Sequence, residues 1–324
     1  MKKIYFFSLL LCCLFTQSTL ANIYYVINNN PSGTGSLGEA ITNANSHSGK
    51  DSVYFNIPIG TVASRSITVS SIFPLPAVTD ALVIDGTSQL AGNSFGVTNA
   101  KIQIKAADYL TAGLVIAAAN CEVYGLYIHH FVDGLIITGG DFKIGAVNFG
   151  NVINDCTSNC IKVSSVITGS FLSLFVGTDT LGTTGTAPLA NGISINGSKK
   201  ITIGGKQAGV RNTISGNNNG IFISDSKFID IQGNYIQLRA TSKAVLPIIF
   251  SFILFAEPVI PITIASTLCF FSMSRIKSLG EPMRLIHSIS RLGKCARILL
   301  FILLSCCKET CSTPPNTSTL VIVS

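Results

Sequence analysis

Asn191-Gly-Ile-Ser-Ile-Asn-Gly-Ser-Lys-Lys-Ile-Thr-Ile-Gly-Gly205 overlays Asn219-Gly-Ile-Phe-Ile-Ser-Asp-Ser-Lys-Phe-Ile-Asp-Ile-Gln-Gly233 at an offset of 28 residues, with nine of fifteen positions identical. Repetition at such a period is the mark of a solenoid. Within the units, Ile193/Ile195, Ile201/Ile203, Ile221/Ile223 and Ile229/Ile231 alternate with other residues, the period-2 pattern of strands with one buried face. Strands this short cannot bury a face alone. Stacked coils can, with Ile over Ile and each backbone paired to the coils above and below. All coils run in one sense, so the ladders are parallel. Gly192, Gly205, Gly216, Gly220 and Gly233 suit corners that need positive φ. Asn217, Asn218, Asn219 and Asn234 suit left-handed corners and stacked amide ladders. A flat antiparallel sandwich also needs frequent turns, but it does not bring its corners back into register after 28 residues.

Weaker copies stand upstream, in Asp133-Gly-Leu-Ile-Ile137 and Asn159-Cys-Ile-Lys-Val163. A longer register of about 60 residues relates Asn151-Val-Ile-Asn to Asn212-Thr-Ile-Ser, and Phe175-Val-Gly to Tyr235-Ile-Gln. A Gly177-Thr-Asp loop leads into Asn191, and Arg211-Asn-Thr-Ile-Ser-Gly-Asn217 stands unbroken. With Gly35-Ser-Leu-Gly-Glu-Ala-Ile41 near the start, these motifs make residues 22–237 resemble bacterial surface-exposed right-handed parallel β-helix repeat proteins. Many of those open on Ser-Leu-Arg-Glu-Ala-Ile, and Gly38 here replaces the arginine. The resemblance implies an all-β, right-handed parallel β-helix and says little about activity.

Ser36-x-x-Glu39 forms a capping box, and Leu37, Ala40, Ile41 and Ala44 share one helical face. A first coil would otherwise expose apolar core and strand edges, so a short capping helix is expected there. Residues 22–110 then read as cap and irregular first coils, with Val53–Ile57 and Leu82–Ile84 as early strands, and 111–237 as regular coils.

The chain has 324 residues, 47% apolar and 11% charged, with no Trp and a formal charge of +7. That charge is uneven. Residues 22–240 hold twelve Lys/Arg against twelve Asp/Glu, so the body is neutral and unsuited to nucleic acid or anionic lipid. Lys2, Lys3, the apolar run Ile4–Phe15 and Thr19-Leu20-Ala21 read as residues 1–21 of a signal peptide cleaved after Ala21. Cys12 and Cys13 lack a lipobox. The expected location is outside the cell or on a bacterial surface. In that oxidising setting Cys156 and Cys160 can pair if the coils bring them together, although apolar packing is the preferred reading for both.

Residues 238–324 do not fit the repeat. Residues 22–240 contain 27 Gly and 21 Asn, whereas 241–324 contain two Gly and one Asn. A further coil is due near Ser251 and does not come. Residues 244–271 are long enough for a membrane span, but Pro247, Pro258, Pro261 and Glu257 make a poor helix. The preferred reading is a reading frame disrupted inside a repeat, leaving a tail outside the fold. A membrane partner follows only if 244–271 is a genuine span.

Parallel β-helices also host carbohydrate-active enzymes, and glycoside hydrolysis needs two carboxylates facing each other across the scissile bond. Asp133, Asp141, Asp155, Asp179, Asp225 and Asp230 stand singly, with Asp225 and Asp230 the nearest to a pair. There is no acidic cluster for calcium. Arg275-Ile-Lys277 is similar to a motif of pectin-cleaving hydrolases but lies in the tail and is discounted. His129-His130 is expected to point one ring in and one out, as a corner pair without metal-ligand spacing. No catalytic, metal or cofactor residue is assigned. The binding candidate is the outward polar set Ser194, Thr202, Ser224, Asp230 and Gln232, suited to a polysaccharide or another surface protein. The functional expectation is a non-catalytic surface β-helix, with a polysaccharide lyase or glycoside hydrolase as alternative.

Overall fold

The computed structural model describes residues 21–58, 61–109, 112–237, 252–254 and 262–265. The chain folds as a right-handed parallel β-helix whose coils contribute strands to three sheets. The first sheet runs Ile23–Val26, Asp51–Phe55, Leu82–Asp85, Glu122–Tyr124, Phe142–Ile144, Gly169–Phe171, Ile201–Gly204 and Ile229–Gln232. The second runs Ser66–Val69, Ile102–Ala106, Leu126–His129, Val152–Asn154, Phe175–Val176, Thr213–Ser215 and Tyr235–Gln237. The third begins only at Leu114–Ile116 and continues through Asp133–Ile137, Asn159–Ser164, Ala187–Asn196 and Asn217–Ser224. The earliest coils are therefore irregular because they lack a full third strand.

Register reproduces the sequence repeat. Asn191 pairs with Asn219, Ile193 with Ile221 and Ile195 with Ile223 in parallel. The 60-residue register turns out to be two coils. Phe175 pairs with Thr213, and Thr213 with Tyr235, one coil being lengthened by the loop that starts at Gly177. Inward columns such as Ile104, Ile128, Ile153, Val176 and Ile214 are fully buried, and each such side chain contributes about 1.5–3 kcal/mol relative to exposure. Phe142 and Phe171 lie 4.9 Å apart and tilted inside the helix, and the absence of a Cβ at Gly169, one coil on from Phe142, leaves room for the Phe142 ring.

The corners are built differently from the sequence expectation. Gly216 and Gly233 do have positive φ, but Gly192, Gly205 and Gly220 do not. At Gly192 the reason is space: a Cβ would run into the carbonyl of Gly220 in the next coil. Gly134 is closed in the same way by Cys160 O, so Cys160 occupies the matching slot of its own coil. Left-handed φ falls on His130, Asp155, Lys200 and Asp225, among others, and not on Asn217, Asn218, Asn219 or Asn234. Three of those asparagines instead bridge coils. Asn217 donates to Val176 O, Asn234 donates to Ile203 O and accepts from Asn212, and Asn219 joins a ladder with Asn191.

At the N-terminal end, helix α1 (Leu37–Asn45) buries Leu37, Ala40, Ile41 and Ala44 over the first coil. Ser36 Oγ accepts from Glu39 N at 3.1 Å, and Glu39 reaches back to Gly35 N at 2.6 Å rather than to Ser36 N. Gly38 packs against the Pro31 carbonyl, a contact with no room for a larger residue. At the other end the last described parallel strand is Tyr235–Gln237. Phe252–Leu254 then pairs antiparallel with Ile229–Ile231, and Ile262–Ala265 antiparallel with Asn219–Ile223. Among the described residues of 238–324, these two segments meet the last coil in the antiparallel sense and neither continues the parallel ladders. Residues 1–20 of the segment 1–21 read above as a signal peptide, and most of 244–271, lie outside the described residues. Among the described residues no helix is long and apolar enough to cross a membrane.

Candidate functional site

The five polar residues singled out in the sequence do not form one row. Ser194 and Ser224 lie on the third sheet, beside Phe222 and Asn196 respectively. Thr202 and Asp230 are register partners on the first sheet, where Gln232 donates to both Asp230 oxygens at 2.8 and 2.7 Å. A corner held by Ser198 and Ser226 separates the two sets. All five are half-buried.

A denser constellation sits on the outer face of the second sheet. The strand Leu126–His129 alternates Leu126 and Ile128 inward with Tyr127 and His129 outward. His130 follows at φ 69°, which breaks the alternation at the corner, so neither histidine enters the core; the expected one-in, one-out arrangement fails there. The Tyr127 and His129 rings stack at 4.5 Å and 19°, Phe95 packs on Tyr127 at 5.5 Å, and Arg65 lies over Phe95 at 5.2 Å. Phe95 arrives on the loop after Gln89, which is pinned across the sheet by Val97 N donating to Thr180 O at 3.1 Å. That crossing explains why Val152 and Asn154, outward in register with Tyr127 and His129, are nevertheless buried.

Polar groups from four successive coils line this shelf. Tyr109 Oη donates to Asp155 Oδ1 at 2.8 Å, and His130 Nδ1 meets Asp155 Oδ2 at 2.9 Å, while the Tyr109 and His130 rings lie 3.8 Å apart. Gln103 Nε2 contacts His129 Nε2 at 2.5 Å. Asp179, in the following coil, accepts from Thr183 N and Oγ1 at 2.8 and 2.9 Å. Burial pulls His129 down to about 4, which keeps its ring neutral near pH 7. Burial also pushes the Tyr127 phenol up, opposed by the Asn154 amide and reinforced by Asp155 and Asp179. Burial and the bond to Asp155 raise Tyr109 to about 12.

Sequence reasoning passed over this site for a clear reason. Phe95, Gln103, Tyr127 and Asp155 are scattered over some 60 residues and meet only through coil register. The one signal was His129-His130. Asp225 and Asp230 lie on opposite sides of a corner, whereas Asp155 binds Tyr109 and His130 and Asp179 binds Thr183. No group of three metal-ligating side chains occurs among the described residues. A cavity of about 330 Å³ lies elsewhere, between α1 and Pro74–Pro76, with Glu39 its one ionisable lining group.

The shelf can hold a flat, amphipathic ligand. Stacked rings offer an apolar face, and the flanking amides, hydroxyl and carboxylates offer directional bonds. No family model matches the chain, and no curated protein matches it. Among solved structures it is similar to the enzymatically active domain of tailspike protein 2 of bacteriophage CBA120, at 17% identity and a TM-score of 0.31 over 68% of this chain. It is also similar to an alginate lyase from a Paenibacillus species, at 13% identity and a TM-score of 0.28 over 67% of this chain and 74% of that one. The chain spans 34% of the tailspike structure's length.

Proposed function

We propose that this chain is an exported, surface-presented β-helix that binds glycan on the second-sheet shelf and does no chemistry of its own. The observation that carries the reading is the continuous aromatic run Phe95–Tyr127–His129, half-buried and bordered by Gln103, Asn154 and Asp155. A pyranose has an apolar C–H face and a polar rim, so a ring stack with hydrogen-bonding groups at its edge matches both. The Ser194/Ser224 and Thr202/Asp230/Gln232 sets then serve as solvated outer faces. The tail is read as the product of a disrupted frame, to be checked by resequencing codons 230–330. Pull-down on a panel of insoluble polysaccharides tests the binding reading. Retention that disappears in Tyr127→Ala and persists in Ser194→Ala supports it; retention unchanged by Tyr127→Ala sinks it.

A catalytic reading is favoured by one observation. Asp155 binds Tyr109 Oη and His130 Nδ1, and neutral His129 is stacked on Tyr127 beside them, so groups able to exchange protons are gathered at one place. Release of reducing or unsaturated ends from a bound polysaccharide selects that reading.

A further inference from the structure

The first strand enters the fold at a buried carboxylate. Asp51 is fully buried, and its Oδ1 accepts from the backbone nitrogen of Asn22 at 2.7 Å. Its one other side-chain partner among the described residues is His47, whose Nδ1 lies 3.2 Å from both oxygens and which carries charge only when protonated. Lys50, next to Asp51 in the chain, reaches away to Glu122 at 2.7 Å and Asn120 at 3.0 Å. A buried carboxylate without a permanent cation is costly to folding. Asn22 is held on its other sides too. Its carbonyl accepts from Ser52 N at 2.8 Å, and its side-chain Nδ2 donates to Tyr24 Oη at 3.4 Å. Ala21, one residue earlier, is exposed.

The Asn22 nitrogen is also the atom that the sequence marks for release. Thr19 and Ala21, small residues after the apolar run, put the export cut between Ala21 and Asn22. A peptidase of the export pathway adds water across that bond. Ala21 leaves as a carboxylate on the excised segment, and the Asn22 nitrogen becomes an ammonium. Its bond to Asp51 changes from a neutral donor to a charged one, about twice as strong. We propose that Asp51 is the seat of the mature α-ammonium, so that processing creates a buried ion pair pinning the first strand to the second coil. The position is specific. A terminus one residue later lacks this nitrogen, and a terminus one residue earlier carries its charge on exposed Ala21. This inference rests on the export reading above.

Two otherwise complete chains test it, one released from a fusion so that it begins at Asn22 and one that begins at Ala21. Both are acetylated with an N-hydroxysuccinimide ester at about pH 7.5, where an ordinary α-amine is partly deprotonated, and read by peptide mass spectrometry. The Asn22 amine is expected to react at least about tenfold more slowly than the Ala21 amine, one unit of added proton affinity. Asp51→Asn abolishes the difference, and so does urea, which serves where that variant fails to fold. The chain beginning at Asn22 also melts higher, by at least about 2 °C. Equal acetylation rates in the two folded chains overturn the inference whatever the melting temperatures. Expression of the whole reading frame with its leader, followed by mapping of the N-terminal peptide, tests the reading beneath it. A terminus at Asn22 is expected. An exported protein cut elsewhere overturns the inference and leaves export standing, whereas a protein retained with Met1 in place overturns both.

Discussion

Asn219 donates its side-chain amide to Asn191 Oδ1 at 2.7 Å, and Asn191 in turn donates to Asn159 Oδ1 at 2.9 Å one coil further back. Asn159 completes the row by donating to Asp133 at 2.7 Å. The Asn that opens each Asn-Gly-Ile-x-Ile unit thus links four coils along one corner. Asn191 is the informative position, because its removal strands a donor on Asn219 and an acceptor on Asn159. Asn191→Ala is expected to cost about 1–2 kcal/mol, and Asn219→Ala, at the end of the row, less. Urea denaturation of both variants checks this; equal losses speak against a shared ladder.

The Gly of the same motif is held by space alone. Gly192→Ala sets a methyl group against the Gly220 carbonyl, part of a stacked backbone that cannot give way singly, and within 2.8 Å of the Asn217 side-chain Nδ2, which is held by its bond to Val176 O. The expected loss is about 3 kcal/mol, the upper end of the overpacking range. Gly197, at φ 59° with nothing nearer than 3.7 Å, provides the contrast: its substitution to Asn, which tolerates that region, is expected to be nearly neutral. Melting temperatures of the two variants decide between strain and space.

How much of this was readable in advance follows from where the information lies. The period of 28 and the alternation of Ile are local, and they sufficed for the coil, its parallel register and the Ile columns. The helix cap was equally local, in Ser36 and Glu39. The site was not. Coils of unequal length, from 21 residues between Glu122 and Lys143 to 39 between Val83 and Glu122, hide which outward residues become neighbours. The 28-residue offset therefore could not reveal that Tyr109, His130 and Asp155 converge. His130 was misplaced because alternation assumes extended backbone, and φ turns positive there.

The interior thiols lead to a chemical prediction. Cys121, Cys156 and Cys160 are buried and unpaired in the structure, and burial raises Cys121. Cys156, whose thiol lies beside it, and burial raise Cys160 well above its usual value. Burial keeps reagent from all three, so they should resist iodoacetamide in the folded protein and react once it is unfolded. Peptide mass spectrometry separates them from the cysteines of the tail. A Cys156–Cys160 peptide two hydrogens lighter, unreactive even in denaturant, shows instead that export oxidises the pair.

His129 ties stability to pH. Burial is the main reason its folded value sits at about 4 against 6.5; His130 and Lys105 add to the shift, and Asp155 opposes it. Between those two values the unfolded chain takes up a proton that the fold excludes, so stability is fully present above pH 6.5 and falls as pH drops toward 4. The full effect is at most about 3 kcal/mol. Asp179 and Glu122 sit below their usual values, Asp179 through bonds from Thr183 and Glu122 through Lys50 and Lys143, each against the opposing effect of burial. Their contributions are lost as pH falls through those lowered values. His129→Gln removes the titrating ring while keeping a polar group for Gln103. Urea titrations of the two proteins across pH 4 to 7 should show a steep decline in the parent and a flatter one in the variant. Parallel curves in that window mean that the ring is not held neutral by the shelf.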